Sequence, residues 1–155
     1  MKIKIIWVGD NQPKWVQEAC HDYLKRLKPR LKIETKEIPL GPRVKSKSTQ
    51  QVIEEEGELI LKHIEKNDFV VALDVQGKSQ KSEQFAKNLR NWIEANNNLI
   101  FIIGSPEGLA DNCRNRADYL LSLSALTFPH TIARVVLIEQ IYRACCIWQN
   151  HPYHK

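Results

Sequence analysis

At 155 residues, 43% hydrophobic and 26% charged, the chain fits one ordinary globular domain that buries roughly two thirds of its unfolded surface. No apolar run approaches the ~18 residues of a membrane span, and MKIKIIWVGD is too short and too alternating for a signal peptide. A cytoplasmic protein is expected. The net charge of +5 is uneven, since residues 1–50 hold twelve Lys or Arg against five Asp or Glu and the remainder eleven against thirteen. That asymmetry points the N-terminal part toward an anion, nucleic acid foremost, although a merely soluble basic surface accounts for it equally.

Residues 2–8 (KIKIIWV) alternate and then become continuously apolar, as a strand entering the core does. A turn at 9–12 leads to Pro13 in the first turn of a helix, whose apolar face is Trp15, Val16, Ala19, Tyr23, Leu24 and Leu27. A second strand is expected over 31–38, then a basic loop at 39–47 containing Arg43, Lys45 and Lys47. Ser48 and Gln51 form a capping box for a helix to about Lys66 that presents Val52, Leu59, Ile60 and His63 or Ile64. Glu54, Glu55 and Glu56 read as its solvated face. FVVALD (69–74) is a buried strand, and Ser82 caps a helix carrying Phe85, Leu89, Trp92 and Ile93. LIFII (99–103) is another apolar strand, followed by a short helical stretch and a fifth strand-like run, YLLSLS (119–124). The last helix spans about Thr131 to Trp148. Strands alternating with helices give an α/β fold with a largely parallel sheet.

Three loops leave the ends of apolar strands, at 73–77, 104–108 and 124–130, where ligands gather in such sheets. None has the glycine spacing of a dinucleotide or phosphate loop. Gly104 lets a flat ligand approach the backbone, although two glycines around Ser-Pro-Glu make a tight turn equally well. SLSALTF (122–128) is small and nearly uncharged, which suits an adenine and also suits a buried strand end. Cys20, Cys113, Cys145 and Cys146 form no paired framework, and the histidines match no zinc spacing, so no metal is expected. His130 reads as the start of a helix, and Arg134 and Arg143 as possible surface charges. The tail HPYHK crowds an aromatic ring, two imidazoles and a cation into five residues, a combination suited to single-stranded RNA unless it is a frayed end.

Taken together, these segments resemble one family. They are the Gly9, Pro13, Trp15 turn, Tyr23-Leu24 with Arg26, the I-P-x-G at 38–41, Leu73-Asp74 with Gly77-Lys78, I-G-x-P-E-G at 103–108, S-L-S-A-L-T-F-P-H at 122–130 and the tail. The chain resembles the RlmH-type (YbeA-like) SPOUT methyltransferases over its whole length. The resemblance implies one domain over 1–155 with a deep trefoil knot in its C-terminal part, about 70–155, and a homodimer. A knot is beyond derivation, because chain connections ordinarily avoid threading. It also implies methyl transfer from S-adenosylmethionine to N3 of a pseudouridine in the helix 69 loop of 23S rRNA on the ribosome. The implied cofactor contacts are Leu73, Gly104, Leu123, Ser124, Ala125, Leu126, Thr127 and Phe128. Ser105 stands where relatives often have a second glycine.

Under that reading the pseudouridine N3 must lose a proton as the methyl arrives. Arg143 is the candidate cation for the developing imide anion, His154 the candidate base, and Tyr153 the ring that stacks on or orients the substrate. Arg43, Lys45 and Lys155 are the expected phosphate contacts, and Glu107 is a weaker catalytic candidate. Two rival readings remain. A non-enzymatic ribosome-associated RNA binder leaves the 122–130 loop without a task, and a flavodoxin-like enzyme lacks its phosphate loop.

Overall fold

The computed structural model describes residues 2–155. Strands β1 (Lys2–Val8), β2 (Ile33–Ile38), β3 (Phe69–Ser79), β4 (Asn98–Ile103) and β5 (Tyr119–Ser122) alternate with five helices. These are α1 (Lys14–Leu27), α2 (Thr49–Leu61), α3 (Ser82–Ala95), α4 (Asp111–Arg116) and α5 (His130–Trp148). One sheet runs in the order β2-β1-β4-β3-β5 with every neighbouring pair parallel. The α/β architecture read from the alternation of periods is therefore present.

Strand side chains alternate between two apolar layers. Ile3, Ile5, Trp7, Val71, Leu99, Phe101 and Ile103 pack in the layer of α1, α3 and α5. Ile6, Val8, Val70, Ala72, Ile100 and Ile102 pack in the opposite layer, beneath α2 and α4. Cover on both faces is why β1, β3 and β4 read as continuous apolar runs. Helix α5 is buried or half-buried along its whole length, wedged between α1 and α3.

Several local expectations are corrected. The capping box at Ser48 and Gln51 forms in both directions, but α2 stops at Leu61 because the chain tightens into turns, His63 N–H donating to Ile60 and Ile64 N–H to Leu61. Leu59 is exposed, whereas Glu56 is only 3% exposed. Position 56 lies one turn from both Val52 and Ile60, so it shares their buried face rather than the solvated one. Trp15 is exposed and Cys20 takes its place on the inner side of α1. Ser82 does not cap α3; its hydroxyl donates to Gln140 on α5. Strand β3 runs beyond Asp74 to Ser79 through a bulge, so that Leu73 and Lys78 both pair with Leu121. Arg134 is buried, not a surface charge.

Candidate cofactor site

The carboxyl ends of β3, β4 and β5 open on a cavity of about 580 Å³, within the roughly 300–1,000 Å³ usual for small-molecule and cofactor sites. Its walls are Leu73 and Asp74 from β3, the turn after β4, the segment 121–129, and His130 and Ala133 at the start of α5. Of the residues expected to touch a cofactor, Leu73, Gly104, Leu123, Ser124, Leu126, Thr127 and Phe128 line this cavity. Ala125 belongs to the same loop but not to the wall. Ser124 curls the segment: its carbonyl accepts from the Ser122 hydroxyl at 2.9 Å, and its own hydroxyl accepts from Leu126 N–H at 3.0 Å. Among the described residues, no protein acceptor meets the N–H groups of Thr127 and Phe128. Apolar walls beside unpaired backbone donors fit the face and edge of a nucleoside.

The turn after β4 explains why residue 104 is glycine. A Cβ there would sit 2.6 Å from the carbonyl oxygen of Gly108 and 3.0 Å from Leu109 Cα, so the turn itself closes against residue 104. Gly108 holds φ +114°, a left-handed conformation suited to glycine. Of the two alternatives posed in the sequence, the tight turn is the one this geometry shows. Ser105 is accommodated because its hydroxyl donates to Glu107 at 3.2 Å.

Three groups at the cavity were not among the expected site residues. Asp74, nearly buried, accepts from Gln76 N–H at 2.8 Å and pairs with Arg114, and both side chains line the cavity mouth. His130 also faces the cavity, and its imidazole is held below the usual histidine range by burial, with the Arg134 cation adding to the effect. Asp74 was visible as the acid ending an apolar strand, but Arg114 lies forty positions away and only the fold joins them.

The candidate catalytic groups gather elsewhere in this chain. Arg143 pairs with Glu139 at 2.5 Å, lies 4.9 Å over the Tyr153 ring and reaches His154 Nδ1 at 3.3 Å. Tyr153 donates to Glu139 at 2.9 Å, and its hydroxyl is 3.2 Å from that of Tyr23. Burial, Tyr23 and Glu139 push its phenol well above the usual tyrosine value, so it stays protonated. His154 Nε2 is 3.0 Å from Glu83. The tail is thus packed, not frayed. From His130 to Arg143 the helix rises roughly 20 Å at about 1.5 Å per residue, so one chain does not bring Arg143, Tyr153 and His154 to its own cavity.

Of the expected phosphate contacts, Arg43, Lys45 and Lys155 are all exposed. Arg43 is in addition engaged by Glu107 at 2.5 Å and Glu56 at 3.3 Å. Among the described residues no cluster of three or more His, Cys, Asp or Glu is placed to hold a metal ion. No helix is long and apolar enough to cross a membrane.

A family model described as "Predicted SPOUT methyltransferase" matches residues 1–154. A protein of Saccharophagus degradans named Ribosomal RNA large subunit methyltransferase H is 49% identical over 155 residues, with 100% of each chain covered. One of the same name from Thioalkalivibrio sulfidiphilus is 42% identical, covering 100% of this chain and 99% of that one. A crystal structure of a "Probable Methyltransferase" from Bordetella pertussis Tohama I superposes with a TM-score of 0.62 over 92% of this chain and 93% of that one. At 10% identity it speaks for the fold alone. With nearly every residue matched by the family model and full-length relatives above two-fifths identity, the chain belongs to the SPOUT methyltransferase family.

Proposed function

We propose that this chain is an S-adenosylmethionine-dependent methyltransferase of 23S rRNA, acting in the cytoplasm on N3 of a pseudouridine in the helix 69 loop of the ribosome. The observation that carries the reading is the cavity at the ends of β3, β4 and β5, walled by the 104–108 turn and the 121–129 segment. The names of the full-length relatives support the ribosomal substrate. One domain spans 1–155 in this reading, and its cofactor part, about 70–155, carries the trefoil knot.

S-adenosylmethionine, when bound, supplies an electrophilic methyl group on a sulfonium. The chain's own task is to fix the base in line and to manage the N3 proton. Arg143 stabilises the imide anion through a neighbouring carbonyl oxygen, and His154 accepts the proton. Tyr153 orients the base, while Lys45 and Lys155 hold phosphate. In one chain both nitrogens of His154 are engaged, Nδ1 accepting from Arg143 and Nε2 donating to Glu83, so the lone pair that takes the proton is freed only when Nδ1 leaves Arg143. The distance from the tail to the cavity is the reason for placing the catalytic groups across a homodimer, each tail completing its partner's site.

The test is to incubate purified protein with ribosomes lacking the modification and isotopically labelled S-adenosylmethionine. Label in the helix 69 loop, at a base whose fragmentation shows N3-methylpseudouridine, is expected. Cofactor binding by calorimetry separates this from a purely RNA-binding role, which predicts no heat from the cofactor.

A further inference from the structure

Arg43 stands in the basic loop between β2 and α2, where its charge invites an RNA contact. Its side chain is 30% exposed, yet its guanidinium is taken up by the protein's own acceptors. Nη2 and Nε grip the two oxygens of Glu107 at 2.5 and 3.4 Å, Nη1 donates to the Gly41 carbonyl at 2.6 Å, and Nη2 also lies 3.3 Å from Glu56 Oε1. Every nitrogen of the fork is committed within the protein. Glu56 is 3% exposed and neither of its oxygens has a hydrogen-bonded partner. Its burial therefore rests on the Arg43 cation.

The other end of this cluster is the cavity wall. Glu107 accepts from the Ser105 hydroxyl, Ser105 pairs with Gly108, and Ser105, Pro106 and Gly108 line the cavity. The near end is equally firm, because a Cβ on Gly41 would fall 2.7 Å from Val52 Cγ1. The loop base is thus pressed onto α2, and a bidentate ion pair joins it to the turn.

We propose that Arg43 is a positioning residue: anchored by Gly41 and buried Glu56, it holds the Ser105–Gly108 wall of the cofactor cavity through Glu107. The inference rests on reading the cavity as the S-adenosylmethionine site. It removes Arg43 from the RNA contacts and leaves Lys45 as the free cation of that loop.

Arg43→Ala, Arg43→Lys, Glu107→Gln and the double variant Arg43→Ala/Glu56→Gln, which relieves the stranded buried carboxylate, provide the test. Three quantities are read: S-adenosylmethionine affinity, amide exchange at 105–109 in the free protein, and the salt dependence of binding to helix 69 RNA. Arg43→Ala and Glu107→Gln are each expected to weaken cofactor binding about tenfold and to speed exchange in the turn. Both leave the salt slope at its wild-type value. Arg43→Lys restores part of the affinity, and Arg43→Ala combined with Glu107→Gln is little worse than either alone. Unchanged affinity and exchange, with a salt slope shallower by about 0.7–0.9, would mean a phosphate contact and overturn the proposal. If the wild-type protein binds no S-adenosylmethionine, the cofactor reading fails, and turn exchange alone then supports or overturns the clamp.

Discussion

The guanidinium of Arg134 lies 4.7 Å over the Trp7 ring and donates to the carbonyls of Val8 and Gly9 at 2.8 and 2.9 Å. It is 1% exposed, and no carboxylate lies within ion-pair distance among the described residues. The first turn of α5 is thereby fastened to the carboxyl end of β1. Burying an unpaired cation is costly, so its hydrogen bonds to two carbonyls and its stacking on the indole must outweigh that cost. Arg134→Met is expected to lower stability by about 2 kcal/mol, read as a lower urea midpoint with unchanged slope. An unchanged or higher midpoint would show that desolvation dominates at this site.

Gly104→Ala tests the turn after β4. The added methyl meets backbone rather than a movable side chain, so the turn must shift and the cavity wall with it. Both losses are expected together: about 1–3 kcal/mol of stability by overpacking and most of the affinity for S-adenosylmethionine. Calorimetric melting and cofactor titration on the same preparation check this. A variant with full stability and no cofactor binding would assign the glycine to ligand approach alone.

The alternation of strands and helices was legible in the sequence because strands covered on both faces read as short continuous apolar runs, such as the one around Phe101, while the helices between them show apolar residues at three-to-four spacing. So were the walls of the cavity, which follow the ends of apolar strands. Illegible were the pairings between distant segments: Arg114 with Asp74, Arg134 with Gly9, Arg43 with Glu107. Arg134 read as a surface charge, Arg43 as a phosphate contact and Arg114 had no assigned role, and only the tertiary fold decides that each partner is within reach. Glu56 is intermediate, since its spacing from Val52 and Ile60 was visible but was outvoted by its acidic neighbours.

His130 gives the protein a pH dependence of known sign. Burial and Arg134 depress its folded value, and Glu107 alone opposes them; His63 is depressed likewise, by burial with Lys36 and Lys4. The unfolded chain therefore takes up these protons first, and stability rises with pH between the folded value and the unfolded value near about 6.5. Stability is expected to fall as pH drops from neutral through that window. His130→Gln should show a shallower fall in urea midpoint, and a curve parallel to wild type would remove His130 from the effect.

Deleting Tyr153, His154 and Lys155 separates cofactor binding from catalysis. These residues pack against Tyr23, Glu139, Arg143 and Glu83, whereas the cavity lies near the other end of α5. Methyl transfer to ribosomes should be abolished while S-adenosylmethionine affinity stays near wild type. The truncation also strips Tyr142 of its edge-on neighbour at 4.9 Å, so a small drop in melting temperature is expected and must be measured beside activity. Lys155→Ala alone should make the salt dependence of RNA binding shallower by about 0.7–0.9, one phosphate contact fewer. Subunit sharing follows from the same distance. In a mixture of tail-less chains and chains carrying Gly104→Val, a mixed dimer pairs an intact cavity with an intact tail on different chains, so part of the activity should return. Mixtures as inactive as either parent, despite proven subunit exchange, would mean that each chain uses its own tail. A truncated protein that methylates ribosomes at the wild-type rate would remove Tyr153 and His154 from the mechanism altogether.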